Sequence, residues 1–152
     1  IRYFFNIIIK KKISEEKILF LANKISDITK LKLYNKQRLI NETIDFIIKN
    51  HCQFNLHIVS ASEHNELNNL CDYFNIEKYF ISIDGSPKKK DILIKNNLKL
   101  YSYHNYETIL IGDAKNDFDA ALKNKIKFYG YNNKELIKIT DSYISSFKDF
   151  KI

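Results

Sequence analysis

Thr108-Ile109-Leu110-Ile111-Gly112-Asp113-Ala114-Lys115-Asn116-Asp117 is the stretch around which the chain is read. An aliphatic, β-branched run meets a glycine, then a carboxylate, then a second carboxylate four positions later, where helical spacing sets in. A short run without polar alternation is the pattern of a parallel strand buried on both faces. In open α/β sheets ligands gather beyond the carboxyl ends of the strands, and Asp113 stands there. Asp117, one helical turn on, can turn to the same side. Two carboxylates around a small hard cation are a usual way to hold Mg²⁺, with waters and a substrate phosphate filling the shell. A strand-end Gly-Asp also makes an ordinary turn in which the aspartate caps the next helix, so this stretch alone leaves both readings open.

Outward from that stretch, strands alternate with helices. Phe54 to Val59 is predicted as a strand ending at Ser60-Ala61-Ser62, followed by a helix marked by Leu67, Leu70, Cys71 and Phe74. Tyr79-Ile83 is a second strand, closed by Asp84-Gly85-Ser86-Pro87, with a helix from Lys88 to Asn97. After Thr108-Ile111 come a helix from Asn116 to Lys123 and a strand over Ile126-Tyr129 ended by Gly130. Asn133-Ile139 then forms a short helix and Ser142-Phe147 an edge strand. This alternation predicts an α/β domain with a mostly parallel sheet. The scarce breakers agree, since the three glycines, Gly85, Gly112 and Gly130, fall at predicted strand ends and Pro87 stands before a helix.

The first third reads differently. Ser14 offers an N-cap with Glu15 and Glu16 in the first turn, and Ile18, Leu21, Ala22, Ile25 and Ile28 continue an amphipathic helix to about Leu31. A second helix starts near Asn35 and carries Ile40, Ile44, Ile47 and Ile48 on one face. Ile1-Ile9 is apolar and aromatic, strand or helix by periodicity alone. The expected division is therefore a helical segment over residues 1–50 and an α/β core over 51–152.

At 152 residues, 45% hydrophobic and 28% charged, the chain is long enough for one core with a small appendage. No apolar run approaches the roughly 18 residues of a membrane span, and no secretory leader pattern is seen. Cys52 and Cys71 have no metal or CxxC spacing and fit free thiols in a reducing cytoplasm. The net charge of +7 raises nucleic acid as a partner. However, Lys10-Lys12 and Lys88-Lys90 are short runs without the interleaved aromatics of a single-strand platform. A solvated basic surface that suits a small anionic substrate is preferred. The sequence begins with Ile and contains no Met, so a segment upstream is expected to be missing.

Three strand ends carry the chemistry. Ser60 places a hydroxyl and the following N–H groups where an anion binds a helix start, although Ser60-Ala61-Ser62-Glu63 also fits a capping box. Gly85-Ser86-Pro87-Lys88-Lys89-Lys90 delivers cations to a helix N-terminus, where the helix dipole disfavours them; a solvated charge run is the plain alternative. Asp113 with Asp117 is the third. Together they form a phosphoryl-binding set: Ser60 and Lys90 neutralise phosphate oxygens while Mg²⁺ on Asp113 screens the rest. His51, His57, His64 and His104 show no paired ligand spacing and are expected to have surface or packing roles.

The stretches "HIVSAS" (57–62), "GSPKKK" (85–90) and "LIGDAKNDFDAA" (110–121) resemble motifs II, III and IV of the haloacid dehalogenase (HAD) superfamily, in particular its phosphoglycolate-phosphatase-like hydrolases. The resemblance covers about Ile1 to Ile144. It implies a HAD-like Rossmannoid core, with the helical first third as the remnant of a cap inserted between the first two motifs. It further implies a Mg²⁺-dependent phosphomonoesterase that acts on a small phosphorylated metabolite through an aspartyl-phosphate. Carried over by position, Ser60 would hydrogen-bond the phosphoryl group, with Ala61 adding its N–H. Lys90, or Lys89 or Lys88 in its place, would hold the phosphate. Asp113 would ligate Mg²⁺, Asp117 would complete the shell directly or through water, and Asn116 would orient Lys90 or the nucleophile.

One departure is large. The superfamily's first motif, Asp-x-Asp-x-Thr/Ser, supplies the nucleophile and the general acid/base, and no such stretch occurs here; neither Asp27-Ile28-Thr29 nor Asp84-Gly85-Ser86 qualifies. In the superfamily that motif ends a central strand lying between those that carry Ser60 and Asp113. The expectation is an N-terminally truncated, inactive hydrolase with a gap in its sheet, unless Ile1-Ile9 fills the slot. The alternative is a non-catalytic pseudo-phosphatase that binds phosphate or metal. A receiver-like domain fits less well, because Lys90 precedes Asp113.

Overall fold

The structure is a computed structural model describing residues 1–152, and it divides into two compact units, Ile1–Leu39 and Ile40–Ile152. In the first, a π-helical turn over Phe4–Ile8 precedes helix α1, Glu15–Leu33. The apolar run Ile1-Ile9 is thus helical and supplies no strand. Ser14 caps α1 as its position predicts, its Oγ accepting the Lys17 N–H at 3.3 Å. No residue of this unit is buried, and Leu19, Phe20 and Leu31 of α1 are exposed. The second helix does not start at Asn35, because the Asn35 Oδ1 accepts the Gln37 N–H at 2.9 Å and closes a 3₁₀ turn over Lys36–Arg38. Helix α2 begins later, spans Asn41–Asn50 and belongs to the second unit.

The second unit has an α/β architecture: β1 His57–Glu63, α3 His64–Tyr73, β2 Ser82–Ser86, α4 Lys90–Leu100, β3 Ile109–Gly112, α5 Lys115–Asn124, β4 Lys127–Tyr131 and β5 Tyr143–Ile144. Every strand pairing is parallel, β1 with β2 in one sheet and β3, β4 and β5 in order in another. Parallel neighbours need crossover connections: α3 joins β1 to β2, α5 joins β3 to β4, and a 3₁₀ turn over Lys134–Lys138 joins β4 to β5, while α4 leads from one sheet to the other. β2 starts later than expected because Glu77–Tyr79 forms a 3₁₀ turn. β1 runs past Val59 to Glu63 through an irregularity in its register, and β5 keeps only two residues of the predicted edge strand. Gly85 lies within β2 rather than at its end. A Cβ there would come within 2.6 Å of His64 Cα and 2.7 Å of the Ser62 carbonyl, so only glycine lets β2 pass under the β1–α3 junction.

The core gathers Ile94 of α4, Ala120 and Ala121 of α5, Ile126, Phe128 of β4 and Leu136. Each large aliphatic or aromatic side chain removed from water here contributes about 1.5–3 kcal/mol. A second, aromatic cluster ties the C-terminal segment to α2. Phe147 lies 4.6 Å from both Phe46 and Tyr131 between ring centroids. Beside it Glu42 accepts the Tyr131 hydroxyl at 2.8 Å and the Ser146 hydroxyl at 2.7 Å.

No hydrogen bond joins β1 to β3. Between them lies a cavity of about 590 Å³ with Leu56–Val59 on one wall and Ile109–Ile111 on the other. The separation lies between the strand that carries Ser60 and the strand that leads to Asp113.

Candidate active site

β3 carries Gly112 to the carboxyl edge of the sheet, and the chain turns through Asp113 and Ala114 into α5. Asp117 stands in the first turn of α5, only 4% exposed, and its Oδ2 accepts the Ala114 N–H at 3.1 Å. This side chain reaching back to the N-cap amide is half of a capping box. Gly112 is what makes room for it: a Cβ there would meet the Asp117 Cβ at 2.5 Å and Cγ at 2.7 Å. The glycine of the opening stretch is therefore needed for close approach between strand and helix.

The other carboxylate oxygen of Asp117, Oδ1, accepts a hydrogen bond from Lys90 Nζ in an ion pair. Lys90 is the first residue of α4, and Lys88 and Lys89 are exposed. The Lys90 side chain is 18% exposed and that of Asp117 5%. A cation at a helix start opposes the dipole, and a carboxylate buried alone carries a large desolvation penalty. Each group offsets the other's cost, and a half-buried ammonium is held at the carboxyl edge of the strands.

Ser60 lies within β1. Its Oγ accepts the Ser62 N–H at 3.1 Å and donates to the Ser62 Oγ at 3.1 Å. Capping of α3 falls instead to Glu63, whose carboxylate accepts the Asn65 and Glu66 N–H groups at 3.1 and 2.9 Å. The extension of β1 moves the helix start three residues beyond Ser60, which frees that serine from the cap. Ala61, Lys90 and Asn116 line one cavity of about 390 Å³, together with Ser86 and the exposed Lys88 and Lys89. Ser60, within β1, and Asp113, just after β3, do not line it. Asp113 is exposed, and its backbone carbonyl accepts the Asn133 Nδ2 at 2.8 Å while its carboxylate has no protein partner.

These contacts bear on a cation. Both oxygens of Asp117 are engaged, by Lys90 and by the Ala114 amide, whereas the Asp113 carboxylate is open. No group of three or more His, Cys, Asp or Glu side chains that could hold a metal ion gathers here or elsewhere. Of the two carboxylates only that of Asp113 is free to meet a cation, which would draw the rest of its shell from water or a substrate.

Two features escape a reading of the sequence. Asn133, which also caps the following 3₁₀ turn through the Glu135 N–H at 3.1 Å, steadies the Asp113 backbone from 20 residues away. At the opposite, amino ends of the strands, Ser82 Oγ donates to Asp84 Oδ2 at 2.7 Å and meets His57 Nδ1 at 2.8 Å, so Nδ1 carries the proton. His57 Nε2 then accepts the Tyr103 hydroxyl at 3.1 Å. Burial pushes the His57 pKa below its usual 6.5, with Asp84 partly opposing. Alternation of a histidine and a serine with strand residues is the only trace of this network in the sequence.

A family model described as haloacid dehalogenase-like hydrolase matches residues 2–131. Among solved structures, a haloacid dehalogenase-like family hydrolase from Streptococcus pneumoniae superposes with a TM-score of 0.70 at 20% identity, over 87% of this chain and 67% of that one. A protein from Lactobacillus delbrueckii subsp. bulgaricus, provisionally assigned as a phosphoglycolate phosphatase, gives 0.65 at 12% identity over 91% and 64%. A HAD-superfamily hydrolase from Ehrlichia chaffeensis gives 0.61 at 20% identity over 87% and 69%. At these identities the likeness is one of fold, and the chain spans about two thirds of the length of each. Comparison with curated proteins gives no match. The family match takes in both the helical first third and the site-bearing strand ends, and the chain belongs to the haloacid dehalogenase-like hydrolase family.

Proposed function

We propose that this chain is the phosphate-binding part of a Mg²⁺-dependent phosphomonoester hydrolase of small organic phosphates, and that alone it does not turn substrate over. The observation that carries this reading is the Lys90–Asp117 pair, which holds an ammonium beside Ala61 and Asn116 at one cavity. In this role Lys90 and the Ala61 N–H bind phosphoryl oxygens, and the Ser60 hydroxyl adds a donor by turning from Ser62. Asn116 orients the lysine. Asp113 is the residue that would hold Mg²⁺, and Asp117 acts on it through Lys90 and water; the ion, when bound, supplies further neutralisation of phosphate charge. In the whole protein the reaction would pass through an aspartyl-phosphate, whose nucleophile the Asp-x-Asp-x-Thr/Ser motif supplies in this superfamily. Localisation in the cytoplasm fits the two free thiols; no helix is long and apolar enough to cross a membrane.

Calorimetry with inorganic phosphate and Mg²⁺, beside turnover of para-nitrophenyl phosphate, tests the reading. The expected result is phosphate binding without turnover, weakened about 10- to 100-fold by Lys90→Ala through loss of a charge-assisted hydrogen bond. Binding indifferent to Lys90→Ala refutes the site. Turnover by this chain, abolished by Asp113→Asn, refutes its inactivity. The absence of the Asp-x-Asp motif also favours a second reading, a non-catalytic pseudo-phosphatase that binds phosphate or metal. Under that reading a longer form of the protein still binds phosphate and still shows no turnover.

A further inference from the structure

The peptide unit that joins Asp113 to Ala114 is held from both sides by side chains. Its carbonyl accepts a hydrogen bond from Asn133 Nδ2 at 2.8 Å, and its N–H donates to Asp117 Oδ2 at 3.1 Å. Neither bond belongs to a strand ladder or a helix interior, because β3 ends at Gly112 and α5 begins at Lys115. A peptide unit is planar, so fixing its oxygen and its N–H fixes the plane, and with it the place of the Asp113 Cα. The carboxylate on that Cα stays exposed and open.

Asn133 is anchored in turn. Its Oδ1 accepts the Glu135 N–H at 3.1 Å and caps the 3₁₀ turn Lys134–Lys138, which Leu136, only 2% exposed, ties to the core. An amide side chain carries an acceptor and two donors, and here the acceptor serves the turn while a donor serves Asp113. Capping alone does not demand an amide, since serine and aspartate cap about as well. Serine, however, carries its only polar atom closer to the backbone, and an ionised aspartate has no N–H to give. The donor that reaches the Asp113 carbonyl is the part of Asn133 that capping leaves unexplained.

We propose that Asn133 is a positioning residue for a divalent cation at Asp113. It touches neither ion nor phosphate, and it acts by fixing the peptide unit that carries the open carboxylate. A cation that takes one carboxylate from the chain and the rest of its shell from water or phosphate depends on that carboxylate being placed beforehand. Partners that orient a ligand group in this way are commonly worth about 10- to 100-fold in metal affinity. The inference rests on the reading of Asp113 as the cation's residue, and the arms of the test separate the two.

The test uses the full 152-residue chain with inorganic phosphate and Mn²⁺, a paramagnetic ion that takes the same oxygen ligands as Mg²⁺. In the unaltered chain Mn²⁺ is expected to broaden the Asp113 and Ala114 amide signals in NMR with a saturable dependence on concentration. Asp113→Asn should abolish that saturation. Asn133→Ser, which keeps a cap and the charge, should weaken Mn²⁺ about tenfold and leave phosphate affinity without metal unchanged. A merely structural role would lower both or neither. No saturation, or saturation that survives Asp113→Asn, refutes the cation reading and the inference with it. Loss in Asp113→Asn beside equal Mn²⁺ binding in Asn133→Ser overturns the inference alone, as does an equal fall in phosphate affinity. A measurement on the unaltered chain guards against a variant that does not fold. By linkage, saturating Mg²⁺ should slow hydrogen exchange of the Ala114 amide by a similar factor, about tenfold, and unchanged exchange also overturns the proposal.

Discussion

Replacing Lys90 by methionine is expected to destabilise the α/β unit more than replacing Asp117 by asparagine, although both break one ion pair. The asymmetry follows from burial, because the Asp117 side chain is 5% exposed and that of Lys90 18%. Lys90→Met strands a carboxylate away from water with only the Ala114 N–H, at 3.1 Å, left to it. Leaving one member of a buried pair unpartnered costs about 3–5 kcal/mol. Asp117→Asn keeps the shape and an oxygen for the Ala114 amide, and the flexible lysine stem can carry its ammonium toward solvent. That loss is about 1–3 kcal/mol. At roughly 2–4 °C per kcal/mol for a chain of this size, the melting temperature should fall by about 6–20 °C for the first and about 2–12 °C for the second. The double variant buries no charge and is expected to be more stable than Lys90→Met alone. Thermal and urea unfolding followed by far-UV circular dichroism measures all three. A smaller loss for Lys90→Met than for Asp117→Asn would falsify the burial argument. So would a double variant equal to the sum of the singles within about 0.5 kcal/mol, which marks independent sites.

Other perturbations report on the same packing. Gly112→Ala puts a Cβ 2.5 Å from that of Asp117, so the first turn of α5 must shift. A loss of about 1–3 kcal/mol in urea unfolding is expected, and unchanged stability would show that the turn gives way freely. Cys52 is exposed and Cys71 buried, where burial pushes its thiol up. Ellman's reagent should therefore titrate one thiol promptly in the folded chain and the second only in denaturant; two prompt thiols would contradict this burial. Hydrogen bonds from Ser146 and Tyr131 hold the Glu42 carboxyl below its usual 4.5, so the unfolded state binds more protons in acid. Its contribution is present above that value and lost as pH falls through the lower folded one. Glu42→Gln should flatten the acid limb of the urea midpoint against pH, and an unaltered limb would refute the assignment. His57, lowered by burial, should titrate below 6.5 by NMR, its share of stability lost as pH falls through that point; a midpoint above 6.5 argues against a buried neutral ring.

The α/β alternation was legible because each parallel strand is apolar without alternation and each following helix restores helical spacing, as in Ile109–Gly112 before Lys115–Asn124. Boundaries shifted where a local hydrogen bond or a distant ring intervened. Asn35 closes its own turn and delays α2, and Tyr79 packs against His51 at 4.9 Å in a 3₁₀ turn ahead of β2. Glu63 takes the cap that Ser60-Ala61-Ser62-Glu63 suggested for a serine, because β1 continues that far. The helical first third follows from Ser14 and the absence of breakers, but nothing local predicts that a helix with so regular an apolar spacing has no buried residue in its own unit. Burial requires a partner surface, and periodicity does not name one.

Residue types and their spacing by themselves pointed to the parallel α/β class, and short motifs around Ser60, Lys90, Asp113 and Asp117 carried the resemblance to the family. Those depend on patterns short enough to lie within one strand and the turn after it. Which residues meet was decided only by the tertiary structure. Three adjacent lysines are equivalent in the sequence, and the start of α4 at Lys90 selects the one that reaches Asp117. Two aspartates four apart look alike, yet packing on Gly112 buries Asp117 against a lysine and leaves Asp113 open. Likewise, apolar runs predict the strands before Ser60 and before Gly112, but only the tertiary structure leaves β1 and β3 in separate sheets with an apolar cavity between them. Hydrogen bonding between strands and desolvation of charge act between residues distant in the chain, so their outcome is settled when the chain has folded.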